Sequence, residues 1–292
     1  MSWKHLLLQT TTFGCIADER SPVAVVGIPM DHTGTYKPGT RFAPSRIREA
    51  ACNLELYSIL ADITLEDIGF KDYGDVLLPP GDVYRAVDTV KYVVGKVREE
   101  HEKLIVVLGG EHLVTYPVVL AFKNSIDTLV VFDAHLDMRS EYLSSRLNHA
   151  TFLRRLIEED VRVVHFGSRA YSKEELEFVK RSEVEIYSIK SLKKKQVRLP
   201  QLGKVYLSID IDVFDPSIAP GVQNPEPYGI DFDIFASLLE EIVRNADDIV
   251  GFDIVEVNPL VDVNDVTSLL AAKVGLEIIG MYYKKKVPQE VK

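Results

Sequence analysis

Acidic and histidine side chains follow four separate apolar runs of this sequence, each at the point where the run ends. The runs, with the residues that follow them, are KLIVVLGGEH (103–112), TLVVFDAHLD (128–137), KVYLSIDID (204–212) and DIVGFDIVEV (248–257). A carboxylate at the end of a buried strand loses hydration, which costs free energy unless a positive charge compensates it. These positions therefore predict a site where several carboxylates share a bound cation.

Six of these side chains carry the donor atoms of a site for two divalent cations. Side chains two positions apart in a strand project to the same face, so Asp210 and Asp212 point together. The same spacing aligns the acids and the histidine of DAHLD (133–137) if that stretch stays extended. Two divalent cations balance the charge of the four aspartates, whereas a single ion with all six ligands keeps no open position. The predicted metal ligands are His112, Asp133, His135, Asp137, Asp210 and Asp212.

The donor types narrow both the metal and the chemistry. Carboxylate and imidazole donors favour Mn²⁺ and leave Fe²⁺, Co²⁺, Ni²⁺ and Zn²⁺ as alternatives. The set contains no thiolate, which argues against a structural zinc site. Two ions about 3.5–4 Å apart can share a water, lower its pKa and hold it against an electrophilic carbon. The predicted chemistry is hydrolysis.

Apolar runs and segments of helical periodicity alternate along the chain. Continuous Val, Ile and Leu runs are typical of parallel strands buried on both faces, and their alternation with helices predicts a parallel α/β sheet with right-handed crossovers. Ligands bind outside the carboxyl ends of such strands, which is where the acids lie. The predicted strands are VAVVGIP (23–29), KLIVVLGG (103–110), TLVVFDAH (128–135), VRVVHFG (161–167), KVYLSIDID (204–212) and DIVGFDIVEV (248–257).

Three long segments predict helices. Residues 79–101 contain Asp82 as the expected N-cap, and residues 229–248 have similar spacing. In residues 264–286, Asn264 or Asp265 is the expected cap. No repeat, low-complexity segment or linker interrupts the pattern, so residues 1–292 are expected to form a single domain.

The composition excludes several classes of protein. The chain is 46% hydrophobic and 27% charged, with a formal net charge of −10, which argues against a nucleic-acid partner and suits a cationic small molecule. No segment approaches the roughly 20 apolar residues of a membrane span, and MSWKHLLLQTTTF is too polar for a signal peptide. We therefore expect a cytoplasmic protein with no membrane partner. Cys15 and Cys52 are expected to be buried free thiols.

Four motifs resemble the signatures of the ureohydrolase family, which includes arginases and agmatinases. The similarity extends over nearly the whole chain through residues 27–50 and DYGDV (72–76). It implies a three-layer α/β/α sandwich with a mostly parallel central sheet, an arginase-like fold. The motifs are GGEH (109–112), where the family has GGDH, DAHLD (133–137), SIDIDVFDP (208–216) and FDIVEVNP (252–259).

The resemblance also implies a centre with two Mn²⁺ ions per subunit. Asp133 and Asp210 would bridge the ions, with His112 and Asp137 completing one ligand set. His135 and Asp212 would complete the other. Family members commonly form trimers or hexamers, so a homo-oligomer is expected.

The resemblance assigns further roles around the metals. Glu256 matches the family glutamate that receives the substrate guanidinium, which suits a carboxylate that can accept a forked pair of N–H donors. His149, in NHATFLRR (148–155), matches the histidine that contacts substrate near the mouth of the site and exchanges protons with solvent. Metal-bridging hydroxide would attack the guanidinium carbon, and Asp137 would pass the hydroxide's proton to the departing amine.

Residues outside the shared metal core must decide the substrate. Residues 133–159 look more like agmatinases than arginases, because Met138 and Arg139 stand where arginases carry an Asn-containing loop for the amino acid carboxylate. The expected substrate is a small cationic guanidino compound, agmatine, cleaved to putrescine and urea. Arginine, guanidinobutyrate and formiminoglutamate are the alternatives.

Two departures from the family bear on that choice. Arg139 is expected to point outward, and the alternative is an inward orientation that pairs with a carboxylate tail. APGVQNPEPYGI (219–230) resembles the family stretch APGTGTPEPGGL, with Asn224 and Tyr228 in place of a Thr and a Gly. The tyrosine could narrow the pocket or shift the loop.

The remaining candidates have structural interpretations. Glu111, Asp215 and Asp253 are expected to hydrogen-bond around the ligands or in loops, and His165 to bond locally. His5, His32 and His101 are expected at the surface or in loops. The rival classes are a deacylase with a single zinc ion and a non-catalytic binding or regulatory protein, and the complete ligand set with Glu256 argues against both.

Overall fold

A computed structural model of the chain describes residues 2–101, 103–195 and 197–286. Its β-structure contains all six predicted strands together with others that the sequence analysis did not identify. The strands are β1 (Leu7–Leu8), β2 (Val23–Ile28), β3 (Tyr57–Ser58), β4 (Ile63–Thr64), β5 (Lys71–Val76), β6 (Leu104–Gly109), β7 (Thr128–Phe132), β8 (Val163–Phe166), β9 (Glu185–Tyr187), β10 (Gly203–Asp210) and β11 (Ala246–Val255).

Nine of these strands form one sheet in the order β1-β5-β2-β6-β11-β10-β7-β8-β9, and β3 and β4 pair separately. Every neighbouring pair in the large sheet is parallel except β1 with β5. The predicted mostly parallel sheet is therefore confirmed. The four acid-bearing strands β6, β11, β10 and β7 are consecutive neighbours, so their carboxyl ends lie side by side.

Helices cover both faces of the sheet. One buried apolar cluster joins one face to α1, α6, α7 and α8, and a second joins the other face to α2, α3, α4 and α5. Alternate residues of β2 enter opposite clusters, as a strand covered on both sides requires. The three-layer α/β/α fold is confirmed. The helices are α1 (Ala43–Ala51), α2 (Val83–Glu100), α3 (Thr115–Phe122), α4 (Phe152–Glu158), α5 (Lys173–Val179), α6 (Ile189–Lys193), α7 (Phe232–Asn245) and α8 (Val266–Lys286).

The cap of α2 is as predicted, whereas the cap of α8 is not. The Asp82 carboxylate accepts a hydrogen bond from the Arg85 N–H at 3.0 Å. At α8, Asn264 and Asp265 both adopt positive φ, and the carboxylate of Asp262 instead accepts from the first helical amides. The sequence prediction was wrong because the chain turns back before the helix begins, which brings an earlier aspartate to its end.

Strand β5 escaped prediction because its sequence, KDYGDV, is polar. Two of its carboxylates bind the fully buried guanidinium of Arg48 in α1, with Asp72 at 2.8 Å and Asp75 at 2.6 Å. A strand that supplies the counter-ions of a buried arginine lacks the continuous apolar pattern from which strands are predicted.

The prediction of two free thiols was wrong, because Cys15 and Cys52 form a disulfide with their Cα atoms 5.2 Å apart. Cys15 ends a 3₁₀ turn, Phe13–Cys15, and Cys52 follows the last residue of α1. The two positions are separated by 37 residues in the sequence, and only the packing of the turn against α1 brings them together.

Helix α8 also bears on the expectation that no segment of the chain resembles a membrane span. Within the described residues it is the one helix long and apolar enough to cross a membrane by length and composition, although no such segment was predicted. Of its most apolar window, 72% is buried inside the protein. A helix that is apolar on all sides is typical of the core of a large domain, and α8 has that position here.

Candidate metal and substrate site

Two groups of buried side chains at the carboxyl edge of the sheet have metal-binding geometry. In the first, His112, Asp133 and Asp137 place one donor atom each within 4.8 Å of one another. The Nδ1 atom of His112 lies 3.1 Å from Asp133 Oδ2 and 3.0 Å from Asp210 Oδ2. Asp210 therefore extends this group.

The second group shares Asp133 with the first and adds His135 and Asp212. The Nδ1 atom of His135 lies 2.8 Å from Asp212 Oδ2 and 3.5 Å from Asp133 Oδ1. The structure thus brings all six predicted ligands together. The shared aspartate lies between two ligand groups, as a site for two ions requires.

Turns rather than extended strands bring two of these ligands into place. Strand β7 ends at Phe132, and Asp137 has a φ of +50°, so DAHLD does not stay extended and the alignment that depended on an extended chain does not apply. Asp212 lies in the 3₁₀ turn Ile211–Val213, and its amide donates to Asp210 Oδ1 at 2.8 Å. These turns keep Asp137 and Asp212 at the edge of the sheet, whereas a straight strand would carry them away from it.

The donor atoms fit bound cations. Among the described residues, His112 Nδ1 and Asp133 Oδ2 are buried without a hydrogen-bond partner. Burial, together with the neighbouring Asp133 carboxylate, raises the pKa of Asp137 well above its usual value. Burial and the carboxylates of Asp212 and Asp133 do the same to the pKa of Asp210. Such crowded acids stay ionised only when positive charge joins them.

Hydrogen bonds behind the ligands orient the imidazole of His112 and hold the backbone of His135. His112 Nε2 lies 3.0 Å from the Ser208 hydroxyl, which donates to Asp253 at 2.7 Å. His165 Nε2 lies 2.8 Å from the His135 carbonyl oxygen. Asp253 and His165 therefore have the local bonding that was predicted for them.

The other structural assignments hold. The Glu111 carboxylate accepts from the amide and hydroxyl of Thr33, and Asp215 accepts from two loop amides. His5 is exposed and His32 is partly exposed. His101 follows α2 in a loop, as allowed for, but is buried rather than at the surface, with 9% exposure.

A cavity of about 270 Å³ opens above these ligands. His112 and Asp133 lie beneath its floor, almost fully buried. The wall contains the other predicted site residues, which are His135, Asp137, His149, Asp210, Asp212 and Glu256.

Glu256, which lies on this wall, is the residue that directly follows β11. Its φ of +66° turns the side chain toward His112, whose amide donates to Glu256 Oε1 at 2.7 Å. Burial raises the pKa of Glu256 to about 8. A cation beside the carboxylate would reverse that shift, because an opposite charge favours the ionised form.

His149 lies between the cavity and a loop that follows β2. Its Nδ1 atom is 3.2 Å from the hydroxyl of Thr33 and its Nε2 atom is 3.4 Å from that of Thr35. Burial lowers the pKa of His149 to about 4. The imidazole is therefore neutral at pH 7 and can accept a proton.

The two departures from the family pattern lie in different places. Arg139 lines the cavity mouth rather than pointing away from it, which corrects the orientation favoured from the sequence. Its charge is partly paired, since Nε lies 3.9 Å from Glu175 Oε2. Tyr228 is 54% exposed, has a φ of +69° and packs against Lys193. It therefore lies away from the cavity wall, while Asn224 is part of it.

One residue beside the site was missed by the sequence analysis. Gln223 is fully buried, and its amide Nε2 donates to Glu256 Oε2 at 3.0 Å. It stands where the family stretch APGTGTPEPGGL has its second glycine. The replacement of that glycine by a glutamine was the signal in the sequence that could have identified Gln223.

Comparison with known proteins defines the class. The family model described as "Arginase family" matches residues 21–280. The chain belongs to this family, the ureohydrolases, and is a hydrolase that acts on C–N bonds of amidino groups. The family fold implies a binuclear metal site, and the two ligand groups described above have metal-binding geometry.

Several relatives are similar over almost their whole length. An agmatinase of Bacillus subtilis (strain 168) is 38% identical over 272 residues, which cover 91% of this chain and 93% of the relative. An N(1)-aminopropylagmatine ureohydrolase of Thermococcus kodakarensis is 36% identical, with 93% and 94% covered. The crystal structure of an agmatine ureohydrolase of Thermoplasma volcanium superimposes with a TM-score of 0.83 at 36% identity, covering 96% of each chain.

Proposed function

We propose that this protein is an agmatinase, which hydrolyses agmatine to putrescine and urea with two Mn²⁺ ions per subunit. The observation that carries the proposal is the position of the Glu256 carboxylate on the wall of a cavity that also contains four of the proposed metal ligands. A buried carboxylate beside a metal site has the chemistry to bind a planar guanidinium through a forked pair of hydrogen bonds. The similarity to agmatinases supports the same substrate.

The metal ligands are proposed to be the six residues predicted from the sequence. Asp133, which belongs to both ligand groups, would bridge the ions, and Asp210 would be the second bridge. When bound, the ions would lower the pKa of a water between them and so supply the nucleophile. Ligands of this hard oxygen and imidazole type favour Mn²⁺.

The chain's own residues position the substrate and move protons. Glu256 would hold the guanidinium over the cavity floor, so that its carbon faces the ligand groups. Asp137, whose carboxylate lies in the same cavity, would take the proton of the nucleophile and deliver it to the departing amine. Neutral His149 would exchange protons between the cavity and solvent.

The outer cavity favours a cationic tail over a carboxylate tail. Apart from the proposed ligands and Glu256, its charged side chains are Arg139, Glu175 and Glu226, which give the region a net charge of −1. Glu175 is already the nearest acid to Arg139. Tyr142 and Tyr171 add aromatic faces that suit an ammonium group.

A second candidate substrate is N(1)-aminopropylagmatine, which the Thermococcus kodakarensis relative is named for. A groove of about 1030 Å³ lies beside the cavity, and Thr35 contributes to the walls of both. A longer polyamine tail would have room to pass Thr35 into this groove, whereas agmatine would not need it.

The remaining proposals concern the whole protein. Strands of one sheet come from residues 7 to 255, which supports a single domain over residues 1–292. Cytoplasmic location, self-association as a trimer or hexamer, and the absence of nucleic-acid and membrane partners are proposed from the net charge and the family.

The test is urea release by the Mn²⁺-loaded protein. Agmatine, N(1)-aminopropylagmatine, arginine and guanidinobutyrate are compared in parallel, with formiminoglutamate followed by formamide. We expect the highest kcat/KM with agmatine and a loss of about 100-fold in Glu256→Gln, because the charge-assisted hydrogen bonds to the guanidinium are lost. Glu240→Gln, a change of the same type at an exposed position on α7, should behave as wild type. Preference for a carboxylated compound would contradict the proposal and assign Arg139 to its tail.

A further inference from the structure

Gln223 is fully buried beside the Glu256 carboxylate and is not among the residues that line the cavity. Its Nε2 atom donates to Glu256 Oε2 at 3.0 Å, and the His112 amide donates to Glu256 Oε1 at 2.7 Å. Each carboxylate oxygen therefore has one protein donor and keeps a further lone pair. The two donors together fix the plane of the carboxylate.

The backbone sets the distance between Gln223 and Glu256. Val222 and Val257 form an antiparallel bridge, and the Asn258 amide donates to the Gly221 carbonyl oxygen at 2.7 Å. These contacts tie the residue before Gln223 to the residue after Glu256. The hydrogen bond between the two side chains thus has a rigid frame.

The amide also fills the space beside the loop that holds His149. A Cβ atom on Gly34 would lie 2.0 Å from Gln223 Oε1, so a residue other than glycine does not fit there without displacing the amide. Gly34 stands between Thr33 and Thr35, whose hydroxyls contact His149. Gln223 therefore lies between the proposed guanidinium acceptor and the loop of the proposed proton carrier.

Stability alone does not explain an amide at this place. Within the described part of the chain, Gln223 Oε1 is buried and has no hydrogen-bond partner. A buried acceptor without a partner costs on the order of 1–3 kcal/mol, so an apolar side chain of the same size would be stable here as well. What such a side chain could not do is donate to Glu256.

We propose that Gln223 is a positioning residue that holds the Glu256 carboxylate in the orientation that receives the substrate guanidinium. This inference rests on the proposed function, because it assigns Glu256 to the guanidinium. With both oxygens held by protein donors, the free lone pairs face the cavity and can accept the two parallel N–H donors of the guanidinium. The expected effect of losing Gln223 is therefore on substrate binding rather than on the chemical step.

Two variants separate hydrogen bonding from packing. Gln223→Met keeps most of the side-chain volume and removes the donor, whereas Gln223→Gly removes both and restores the residue type of the family stretch. If the residue only filled space, Met would behave as wild type and only Gly would be impaired. Gln201→Met makes the same chemical change at an exposed residue near the opposite edge of the sheet and is the matched control.

The measurement is KM and kcat for agmatine in the Mn²⁺-loaded proteins, with thermal unfolding of each. In Gln223→Met we expect KM to rise about tenfold, kcat to change less than about threefold, and the melting temperature to stay equal or increase. A KM within about twofold of wild type would overturn the proposal. So would a fall in melting temperature together with a loss of kcat, since that pattern reports damage to the fold.

A crystal structure of Gln223→Met tests the inference without turnover. We expect the Glu256 carboxylate to rotate away from its present plane while it keeps at most the bond from the His112 amide. An unchanged Glu256 conformation would overturn the positioning role. Failure of the wild-type protein to release urea from any guanidino compound would instead overturn the proposed function, and the two failures are therefore distinct.

Discussion

At the scale of single residues, burial shifts the pKa values of two carboxylates and of one imidazole of this site in opposite directions. The pKa values of Asp137 and Asp210 rise because their charged forms lose hydration beside other carboxylates. The pKa of His149 falls for the same physical reason, since its charged form is the cation. Removing water therefore favours the neutral forms of Asp137, Asp210 and His149, and bound cations would restore charge to these two acids.

His149 should make the stability of the protein depend on pH. Its pKa is lowered from 6.5 to about 4, so below pH 6.5 the unfolded chain binds the proton more readily than the native protein does. Stability from this residue is complete above the unfolded pKa and is lost as pH falls toward the folded pKa, by on the order of 3 kcal/mol at the lower value.

The measurement is urea unfolding of the wild type and of His149→Gln from about pH 7 to about pH 4. As the solution becomes more acidic, the wild type should lose more free energy of unfolding than the variant does. A difference that stays constant over this range would mean that His149 is as easily protonated in the native protein as in the unfolded chain.

The sequence contained the ligands of the site but not the residues that support them. The six metal-ligand candidates could be predicted because acids and histidines at strand ends are unusual residue types in unusual positions. Gln223 could not be assigned in the same way, since its bond to Glu256 depends on the Val222–Val257 bridge. The turn that carries Asp137 depends on a positive φ, and the presence of an aspartate in the sequence does not predict such a backbone conformation.

At the scale of elements, polar and covalent contacts that apolar periodicity does not report join α1 to β5 and to the turn that ends at Cys15. Helix α1 contributes Arg48, whose guanidinium bonds Asp72 and Asp75 of β5. The residue after α1, Cys52, is bonded to Cys15. Long apolar strands were predicted from their sequences, whereas β5 and β9, which are partly polar, were not.

Removing the disulfide should destabilise the native protein without altering the metal site. In Cys15→Ser/Cys52→Ser the unfolded chain is no longer closed into a loop, and we expect a loss of about 2–4 kcal/mol in the free energy of unfolding. Urea unfolding measures the loss, and Mn²⁺ binding should remain at the wild-type level.

A reductant provides the control for this variant. It should lower the stability of the wild-type protein to that of the double variant and leave the double variant unchanged. Thiol titration of the oxidised, unfolded wild type should detect no free cysteine, since both are paired. Two titratable thiols in that sample would contradict the disulfide and support the prediction of free thiols made from the sequence.

At the scale of the whole molecule, the strand order assembles the site. The acid-bearing strands β6, β7, β10 and β11 occur in that order along the chain, but they lie in the order β6-β11-β10-β7 in the sheet. Parallel pairing places all four carboxyl ends at one edge. The edge at which the ligand candidates meet could be predicted from the sequence, whereas the neighbour relations that set the distances between them could not.

Removal of the metals should therefore affect the whole protein and not only its activity. Without ions, Asp137 and Asp210 hold protons because their pKa values are raised, and the native protein then loses stability as rising pH removes those protons. With ions the ligands are deprotonated, and metal binding strengthens as pH rises. At a fixed free Mn²⁺ concentration the stabilisation should consequently be larger at about pH 8 than at about pH 5; it is about 2.7 kcal/mol where that concentration is 100 times Kd.

Thermal unfolding of chelated and Mn²⁺-reconstituted protein at these two pH values measures this difference, and elemental analysis gives the number of ions. We expect two Mn²⁺ per chain in the wild type and a large loss in Asp133→Asn, because Asp133 belongs to both ligand groups. Asp247→Asn makes the same change at an exposed position near the opposite edge of the sheet and should keep both ions. One bound ion in the wild type would support the single-zinc class instead. Full activity after exhaustive chelation would rule out a metal-dependent hydrolase, because the reaction would then proceed without the ions that are proposed to activate the water.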